Sequence, residues 1–577
     1  MVWEHRTGDY SQGTAVADAT TFEANPVFAN NKLYYCTPFG RVAALEPDTG
    51  KEIWLFDPGH KKAGTEFGVL ICRGVSYWED KYATEEQSCS KRIIVGAIDG
   101  KVHSVDADTG ERCSTFGNNG VIDLRKYDYV NPGTIALTSP PAIVGNLIIT
   151  GGVVSSYSKV ISPNGIVRAF NINTGEEVWH WNPVPEHLRD RMGGINVWPP
   201  MSVDIESDLL FLPTGSATVD PWGVNRKEPL PYANALVALR ASTGEVIWHY
   251  QIIHHDLWDN DLPAQPILAD ASVGGVGVPA VIQFTKTGLM FAFNRETGEP
   301  LFDIEERAVP DSDVPGEQAS PTQPFPVKPM PLTLESLTAE NAWGLTFWDR
   351  GRCAKKIKSM RSEGMYTPPS VQGSVTLPNG YGGVNWGNAA YDPARNWIIV
   401  NSTQLANVSR LYPRNEVDMN VGDISQFDVG GPLEGTPYEY KSAPILSPFG
   451  APCTPPPWGT VTAIDMDTGD FVWQVPFGQV PRFGFHTPAR WGSPLIGGPI
   501  ATAGGLVFNG ASLDRYFRAL NIGSGKILWK SDKLRAPANA TPMTYMYKGK
   551  QYVVVAAGGN VVAGTELSDS LVAFALP

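Results

Sequence analysis

"ALEPDTGKEIW" at residues 44–54 reads as an apolar strand, a tight turn and a second strand. The Thr49-Gly50 pair supplies the positive φ of a hairpin, and apolar and polar residues alternate around it with the period of two that a sheet requires. Six further stretches repeat the pattern: "SVDADTGERCS" (104–114), "AFNINTGEEVW" (169–179), "ALRASTGEVIW" (238–248), "AFNRETGEPLF" (292–302), "AIDMDTGDFVW" (463–473) and "ALNIGSGKILW" (519–529). The turn glycines stand at 50, 110, 175, 244, 298, 469 and 525, so successive spacings are 60, 65, 69, 54, 171 and 56 residues. A period of that size, in units too small to bury their own apolar faces, means a stacked or radial repeat.

The long gap holds no hidden copy. "NWGNAAYDPARNWIIVNS" (385–402) supplies two strands that "VTAIDMDTGDFVWQV" (461–475) completes, and the surplus is proline-rich insertion near 303–380 and 403–457. An eighth copy is split across the termini, with "SLVAFALP" (570–577) as its third strand and "VWEHRTGD" (2–9) as its fourth. Pairing the first and last strands closes a ring and removes sheet edges. The expected fold is all-β: one eight-bladed β-propeller spanning residues 1–577.

The 59 acidic and 45 basic residues leave a net charge of −14, without long Lys/Arg runs, which argues against a nucleic-acid partner. No apolar stretch approaches the roughly 20 residues of a membrane helix, and Met1 leads straight into strand-like sequence with no signal peptide. The six cysteines (36, 72, 89, 113, 353, 453) lack zinc-site spacing. Some disulfides in an oxidising compartment is the leading reading, with buried free thiols as the alternative.

Proline marks the approach to the first strand of most copies: "EANPVFA" (23–29), "TSPPAIV" (138–144), "VWPPMSV" (197–203), "LPAQPILA" (262–269), "GGPIATA" (497–503) and "ATPMTYM" (540–546). In a propeller these equivalent positions converge on the axis. There "HHDLWDNDLPAQP" (254–266) becomes one wall of an axial site, its two imidazoles and three carboxylates followed by Pro263 and Pro266, which hold the next strand in place. The other walls suit a flat, polar, anionic ligand: Trp198, Thr138 and Ser139, Asn385, Lys286 and Arg73. Trp198 also has an ordinary core reading, and Thr138 and Ser139 a turn-capping one. Lys286, inside the strand-like run "VIQFTKTGLMF", would be costly to bury without a partner. His254 and His255 are read as bracing the loop, since no third ligand lies at metal spacing.

"CRGVSY" (72–77), "TSPP", "HHDLWDNDLPAQP", "FTKTG" (284–288), "GGPIATAGG" (497–505) and "TPMTYMYKGKQYVVVAAGG" (541–559), together with the repeats, resemble the membrane-associated dehydrogenases that depend on pyrroloquinoline quinone (PQQ) and oxidise glucose, quinate/shikimate or polyols. The resemblance runs from Trp3 to Pro577. It implies a periplasmic catalytic part, joined natively to a membrane segment or subunit, that passes electrons to ubiquinone. It also implies roles for residues. Asp259 is the general base, Lys286 hydrogen-bonds the reactive quinone oxygen, and Trp198 stacks on the cofactor ring. Arg73, Thr138, Ser139, Asn385, Trp386 and Asn560 line the cofactor site. Asp259, Thr218 and Asn164 fall at metal-site positions, where oxygen donors point to Ca²⁺, or Mg²⁺ with waters completing the shell.

Three departures bear on substrate. Val69 stands where the glucose enzymes carry a histidine, Ser155-Ser156 where they carry Asp-Asn near the metal, and Asn560 where they carry a histidine after the Gly-Gly pair. A vicinal Cys-Cys pair, the mark of soluble methanol and ethanol enzymes, is missing, and no Cys-x-x-Cys-His attaches a haem. Quinate/shikimate therefore leads, with polyols such as glycerol, and glucose, behind it. Arg125, Lys126 and Lys159 are the expected rim cations for a substrate carboxylate. Asp256 is the alternative base, and a non-catalytic propeller scaffold is the reading from another class.

Overall fold

All seven turn glycines of the repeat have positive φ, from +68° at Gly525 to +77° at Gly244. In the computed structural model, which describes residues 1–10, 20–59, 69–84, 87–127, 134–155, 157–378, 380–415, 429–482 and 485–576, each turn joins the outer parts of an antiparallel sheet. The first sheet pairs Val27–Ala29, Lys32–Cys36, Val42–Leu45 and Glu52–Phe56 in chain order. Sheets at 76–123, 142–181, 202–251, 267–294, 389–476 and 500–530 follow, and one built from the termini completes the set. Seven of these eight have four strands and the sheet at 267–294 has three.

The two middle strands of each sheet are sandwiched between neighbouring sheets, so they are buried on both faces. Leu33–Cys36 and Val42–Leu45 are buried throughout, while Glu52–Phe56 is largely exposed. Propeller inner strands therefore read as continuous apolar runs and only the outer ones alternate.

What joins most sheets to the next is the tryptophan after the turn. Trp54 donates from Nε1 to Ala107 O (3.2 Å), and a Cβ on Gly110 would lie 2.7 Å from its ring. Trp179 donates to Ala241 O (3.1 Å) beneath Gly244, Trp248 to Arg295 O (3.0 Å) beneath Gly298, and Trp473 to Ile522 O (2.9 Å) beneath Gly525. Trp3, in the last sheet, reaches Pro47 O (3.1 Å) beneath Gly50 in the first. Phe28 of the first sheet stacks on Tyr545 of the last at 5.0 Å. The split copy is real: Trp3–Arg6 pairs with Ser570–Ala575 in the register Trp3↔Ala573 to Arg6↔Ser570.

The long gap behaves as the repeat predicts. Trp397–Thr403 pairs with Gly459–Asp465 across the second insertion, from Trp397↔Asp465 to Thr403↔Gly459. Parts of both insertions combine in one accessory sheet, ordered Ser374–Thr376, Asn407–Pro413, Tyr438–Pro444, Val429–Gly431. The first also carries a hairpin, Ile304–Ala308 with Thr322–Pro326, and the helix α1, Phe347–Lys358.

Two copies depart from the strand–turn–strand expectation. After Gly298 the second arm leaves only an isolated bridge, Phe293↔Pro300, because Pro300 has no N–H to donate to the ladder. After Gly110 the arm is diverted: Cys113 is bonded to Cys89, the Arg112 guanidinium lies 4.9 Å from the Phe56 ring centroid, and Val121–Asp123 takes the outer position. All six cysteines are paired, as Cys36–Cys72, Cys89–Cys113 and Cys353–Cys453, which answers the disulfide expectation. Among the described residues no helix is long and apolar enough to cross a membrane.

Candidate active site

The proline-marked approaches meet where the ring predicts. Asn25, Pro200, Gln265, Asn388, Pro499 and Pro542, from six different sheets, line a cavity of about 300 Å³. A second cavity of about 290 Å³ shares Glu23, Arg73 and Trp386 with it and is also lined by Trp198, Lys286, Asn385 and Asn560.

Residues 254–266 abut this cavity through Lys286, which Asp259 and Asp261 bind, and Asp256 explains their shape. The buried Asp256 carboxylate accepts hydrogen bonds from Trp258 N (3.0 Å), Asn260 N (2.8 Å), Asn234 Nδ2 (3.2 Å) and the Ser216 hydroxyl. It is an internal template for the turn. His255 braces the loop against Glu317 (3.0 Å), and His254 against Gln251 (3.0 Å) and Glu306 (3.1 Å), so neither histidine is left for a metal. The turn drives Asp259 to φ +63°, a left-handed conformation that costs about 1 kcal/mol or more outside glycine.

Held there, Asp259 meets Lys286. The ammonium donates to Asp259 O (2.7 Å) and Oδ2 (2.9 Å) and lies 3.4 Å from Asp261 Oδ2. Lys286 is not inside a strand, as the apolar run suggested. It occupies the turn between Val276–Phe284 and Met290–Asn294, which the Thr285–Thr287 hydroxyl contact (2.7 Å) and Gly288 N to Thr285 O (3.0 Å) close. The expected partner is present, so the buried charge is compensated. Gly382 permits this wall: a Cβ there would lie 2.7 Å from the Lys286 Cα.

Burial, assisted by Asp261 and opposed by Lys286, pushes the Asp259 carboxyl up to about 7. Burial works against the charged Lys286, but Asp259 and Asp261 outweigh it and hold the ammonium protonated. Asp220 adds a third carboxylate to the field at Lys286, so three acids share one ammonium.

The opposite wall is aromatic and cationic. Trp198 donates from Nε1 to Asp261 Oδ2 (3.0 Å). The Arg73 guanidinium lies 5.0 Å from the Trp198 ring centroid and 5.3 Å from that of Trp386. Arg73 is buried against Glu23 (3.1 Å) and donates to Thr138 Oγ1 (2.8 Å), while Ser139 Oγ donates to Trp198 O (2.7 Å). Asn560 Nδ2 donates to Glu23 Oε1 (3.1 Å). Asn385 Oδ1 accepts from Trp386 N (2.7 Å), which sets the turn that presents the Trp386 ring.

Thr218 and Asn164 lie together, and among the described residues neither side chain hydrogen-bonds to Asp259, Asp261 or Lys286. Thr218 Oγ1 accepts from Gly193 N (3.1 Å) and donates to Val160 O (2.9 Å), and Asn164 Oδ1 accepts from Asn182 Nδ2 (3.1 Å). Their oxygens face their own loops. Ser155 is half-buried, and Ser156 lies outside the described residues. Val69 is half-buried and is not in the wall of the axial cavity that holds Lys286, where Ile71 stands instead. The rim cations are a correction. Arg125 is bound to Asp123 (2.8 Å), Lys126 lines a groove on the outer side of the sheets, and Lys159 runs beside Glu434. None of the three lines the axial cavity, whose cations are Arg73 and Lys286.

Sequence reasoning missed Tyr157 and Glu23. The Tyr157 hydroxyl hydrogen-bonds Asp259 and lowers its carboxyl, and its ring stacks on Tyr440 of the accessory sheet at 5.4 Å. Its position directly after Ser155-Ser156 was the only signal. Glu23 stands three residues ahead of Pro26 in the first proline-marked approach, which could have pointed to it.

Comparison with known proteins agrees with the fold. The family described as "PQQ: Glucose/ethanol/alcohol dehydrogenase, beta-propeller domain" matches residues 1–553. The quinoprotein glucose dehydrogenase of Escherichia coli is 39% identical over all of this chain and 75% of its own length. The quinate/shikimate dehydrogenase (quinone) of Acinetobacter baylyi is 35% identical, again over 100% of this chain and 75% of that protein. A solved quinohemoprotein alcohol dehydrogenase from Pseudomonas putida shares the fold with a TM-score of 0.70 at 20% identity, covering 100% of this chain and 76% of the other. With a buried carboxylate–lysine pair facing a tryptophan on the axis of the ring, the chain belongs to the PQQ-dependent quinoprotein dehydrogenases, enzymes that oxidise CH–OH donors.

Proposed function

We propose that the chain oxidises a secondary hydroxyl of a hydroxylated carbocycle of the quinate/shikimate type and passes the electrons to a membrane quinone. The lining of the axial cavity that holds Lys286 carries this reading. Ile71, Leu405, Leu495, Leu513 and Val562 offer apolar contact beside Lys286, and no histidine is among the described lining residues. Such a surface suits a cyclohexane ring and leaves a sugar hydroxyl without a partner, which disfavours the sugar by about a hundredfold. Glucose is the second reading, favoured by the 39% identity and by the lack of a rim cation for a carboxylate other than Arg73 and Lys286.

The residues fit PQQ: a flat indole on one wall, and two buried cations for an anionic, carbonyl-bearing ring. When bound, PQQ supplies a two-electron acceptor. Asp259, with its carboxyl near neutrality, takes the proton of the substrate hydroxyl. Lys286 supplies positive charge for a developing oxyanion, and Asp261 fixes the Trp198 plane. Three carboxylates around one ammonium leave excess negative charge suited to a hard cation, Ca²⁺ or else Mg²⁺, with Asp259 as the donor nearest the chemistry. Thr218 and Asn164 complete the donor set only by turning from Gly193 and Asn182. The paired cysteines fit an exported, periplasmic location beside a membrane, with ubiquinone as the acceptor.

The test is a panel of quinate, shikimate, glucose and glycerol with PQQ- and Ca²⁺-loaded protein and a dye acceptor. Higher kcat/KM for quinate or shikimate is expected. Faster glucose turnover gives the second reading, and faster glycerol turnover a polyol enzyme. A protein that shows no bound-quinone spectrum is a scaffold.

A further inference from the structure

The start of α1 exposes an aromatic surface that the ring does not use. Phe347 is 92% exposed and Trp348 56%, with Leu345 beside them, and Phe449 is 51% exposed across a ring contact of 5.7 Å to Trp348. Leaving such side chains in water forgoes the free energy of burying their apolar surface. The inner face of α1 is satisfied separately: Asp349, Cys353 and Ile357 are buried at the spacing of one helical turn, within a cluster that includes Val375, Ala406 and Ile445. The Cys353–Cys453 disulfide and the Leu446↔Pro452 bridge fasten the two halves of the patch, about a hundred residues apart in the chain, into one platform.

The charge around this patch is opposite to that of the protein. Arg352, Lys355, Lys356 and Lys358 are exposed, and among the described residues none of them pairs with a carboxylate, on a chain whose net charge is −14. Arg352 lies 5.8 Å from the Trp348 ring centroid, and Arg352, Lys355 and Lys356 line a shallow groove against Leu446. Beyond a Debye length of about 10 Å the remaining acidic surface is screened, so a flat anionic surface meets the patch alone. We propose that this platform docks on an anionic phospholipid bilayer, with Phe347, Trp348 and Phe449 at the acyl boundary and the α1 cations among the headgroups. The proposal uses the reading above only in placing the chain beside a membrane. Its test needs neither cofactor nor substrate, so its failure leaves the dehydrogenase assignment intact.

The test is flotation of the full chain with phosphatidylcholine vesicles and with phosphatidylcholine–phosphatidylglycerol vesicles. Binding is expected to the anionic vesicles only. K355E/K356E should weaken it by about thirtyfold or more, at about 1 kcal/mol per cation near the surface, and F347S/W348S should abolish it. All four residues are exposed, so unchanged thermal unfolding of both variants excludes misfolding as the cause. Absence of wild-type binding, or variants that float like the wild type, overturns the proposal. A dimer that F347S/W348S dissociates, without vesicle binding, makes the patch a contact between copies and also overturns it.

Discussion

The rim turns and the axial loop at 254–266 are both tight bends, yet they are built from opposite materials. At the rim, a Thr-Gly turn and a tryptophan recur, each indole donating to a carbonyl of the next sheet: Trp54 to Ala107, Trp179 to Ala241, Trp248 to Arg295. At the axis nothing recurs. One carboxylate, Asp256, shapes the loop, another, Asp259, is forced to positive φ, and one ammonium answers both Asp259 and Asp261. A rim clasp joins only two neighbours, so its loss is local. The axial pair has no substitute, so on the proposed mechanism its loss removes the chemistry. The ring supplies redundancy that a singular, strained and charged site needs.

Removing Lys286 should have the largest effect. K286M leaves the surrounding carboxylates without their cation, which should cost about 3 kcal/mol of stability as well as activity. The deficit should shrink as pH falls and those carboxyls protonate, since a neutral acid needs no cation. Urea melts of the wild type and K286M at neutral and acidic pH check this, and a constant deficit would place the loss in packing.

D259N should lower turnover by about a hundredfold or more, the scale of a general base, with PQQ titration and thermal unfolding little changed. Turnover near the wild-type value would move the base elsewhere. Asp256, the remaining alternative, already accepts four hydrogen bonds.

G244V probes the rim for contrast. The new side chain meets the Trp179 ring at 2.6 Å on a backbone with φ +77°, which should cost about 1–3 kcal/mol. Turnover per folded molecule should not change. A loss of kcat without a loss of stability would break the division between rim and axis.

The smallest effect is expected from Y157F. The Tyr157 hydroxyl lowers the Asp259 carboxyl, so without it the carboxyl rises further above about 7. Because the base works deprotonated, the rising limb of the kcat/KM pH profile should move to higher pH, while the plateau changes little. A shift to lower pH would reverse the assigned direction.

Much of this was legible in the chain. The repeat placed the turns, the split copy closed Trp3–Arg6 onto Ser570–Ala575, and the gap between Gly298 and Gly469 resolved into insertions. Lys286 stood out because a charged group inside an apolar run needs a partner, Asp259 because the resemblance made it the general base, and the two proved to be each other's partners. Other features were not legible. Pro300 and the Cys89–Cys113 bond each diverted an outer arm that the repeat predicted. Arg125, chosen for charge alone, is bound to Asp123 away from the axis.

The local alphabet of turns, alternation and proline-marked approaches was enough to specify the sheets and their circular order, because each depends on residues a few positions apart. Tyr157 on Asp259, Glu23 under Arg73, and an accessory sheet assembled from two insertions depend on side chains more than thirty positions apart. Only closure of the ring brings such groups within hydrogen-bond range, and burial there sets the charge state of Asp259, so that part of the site exists only in the folded chain.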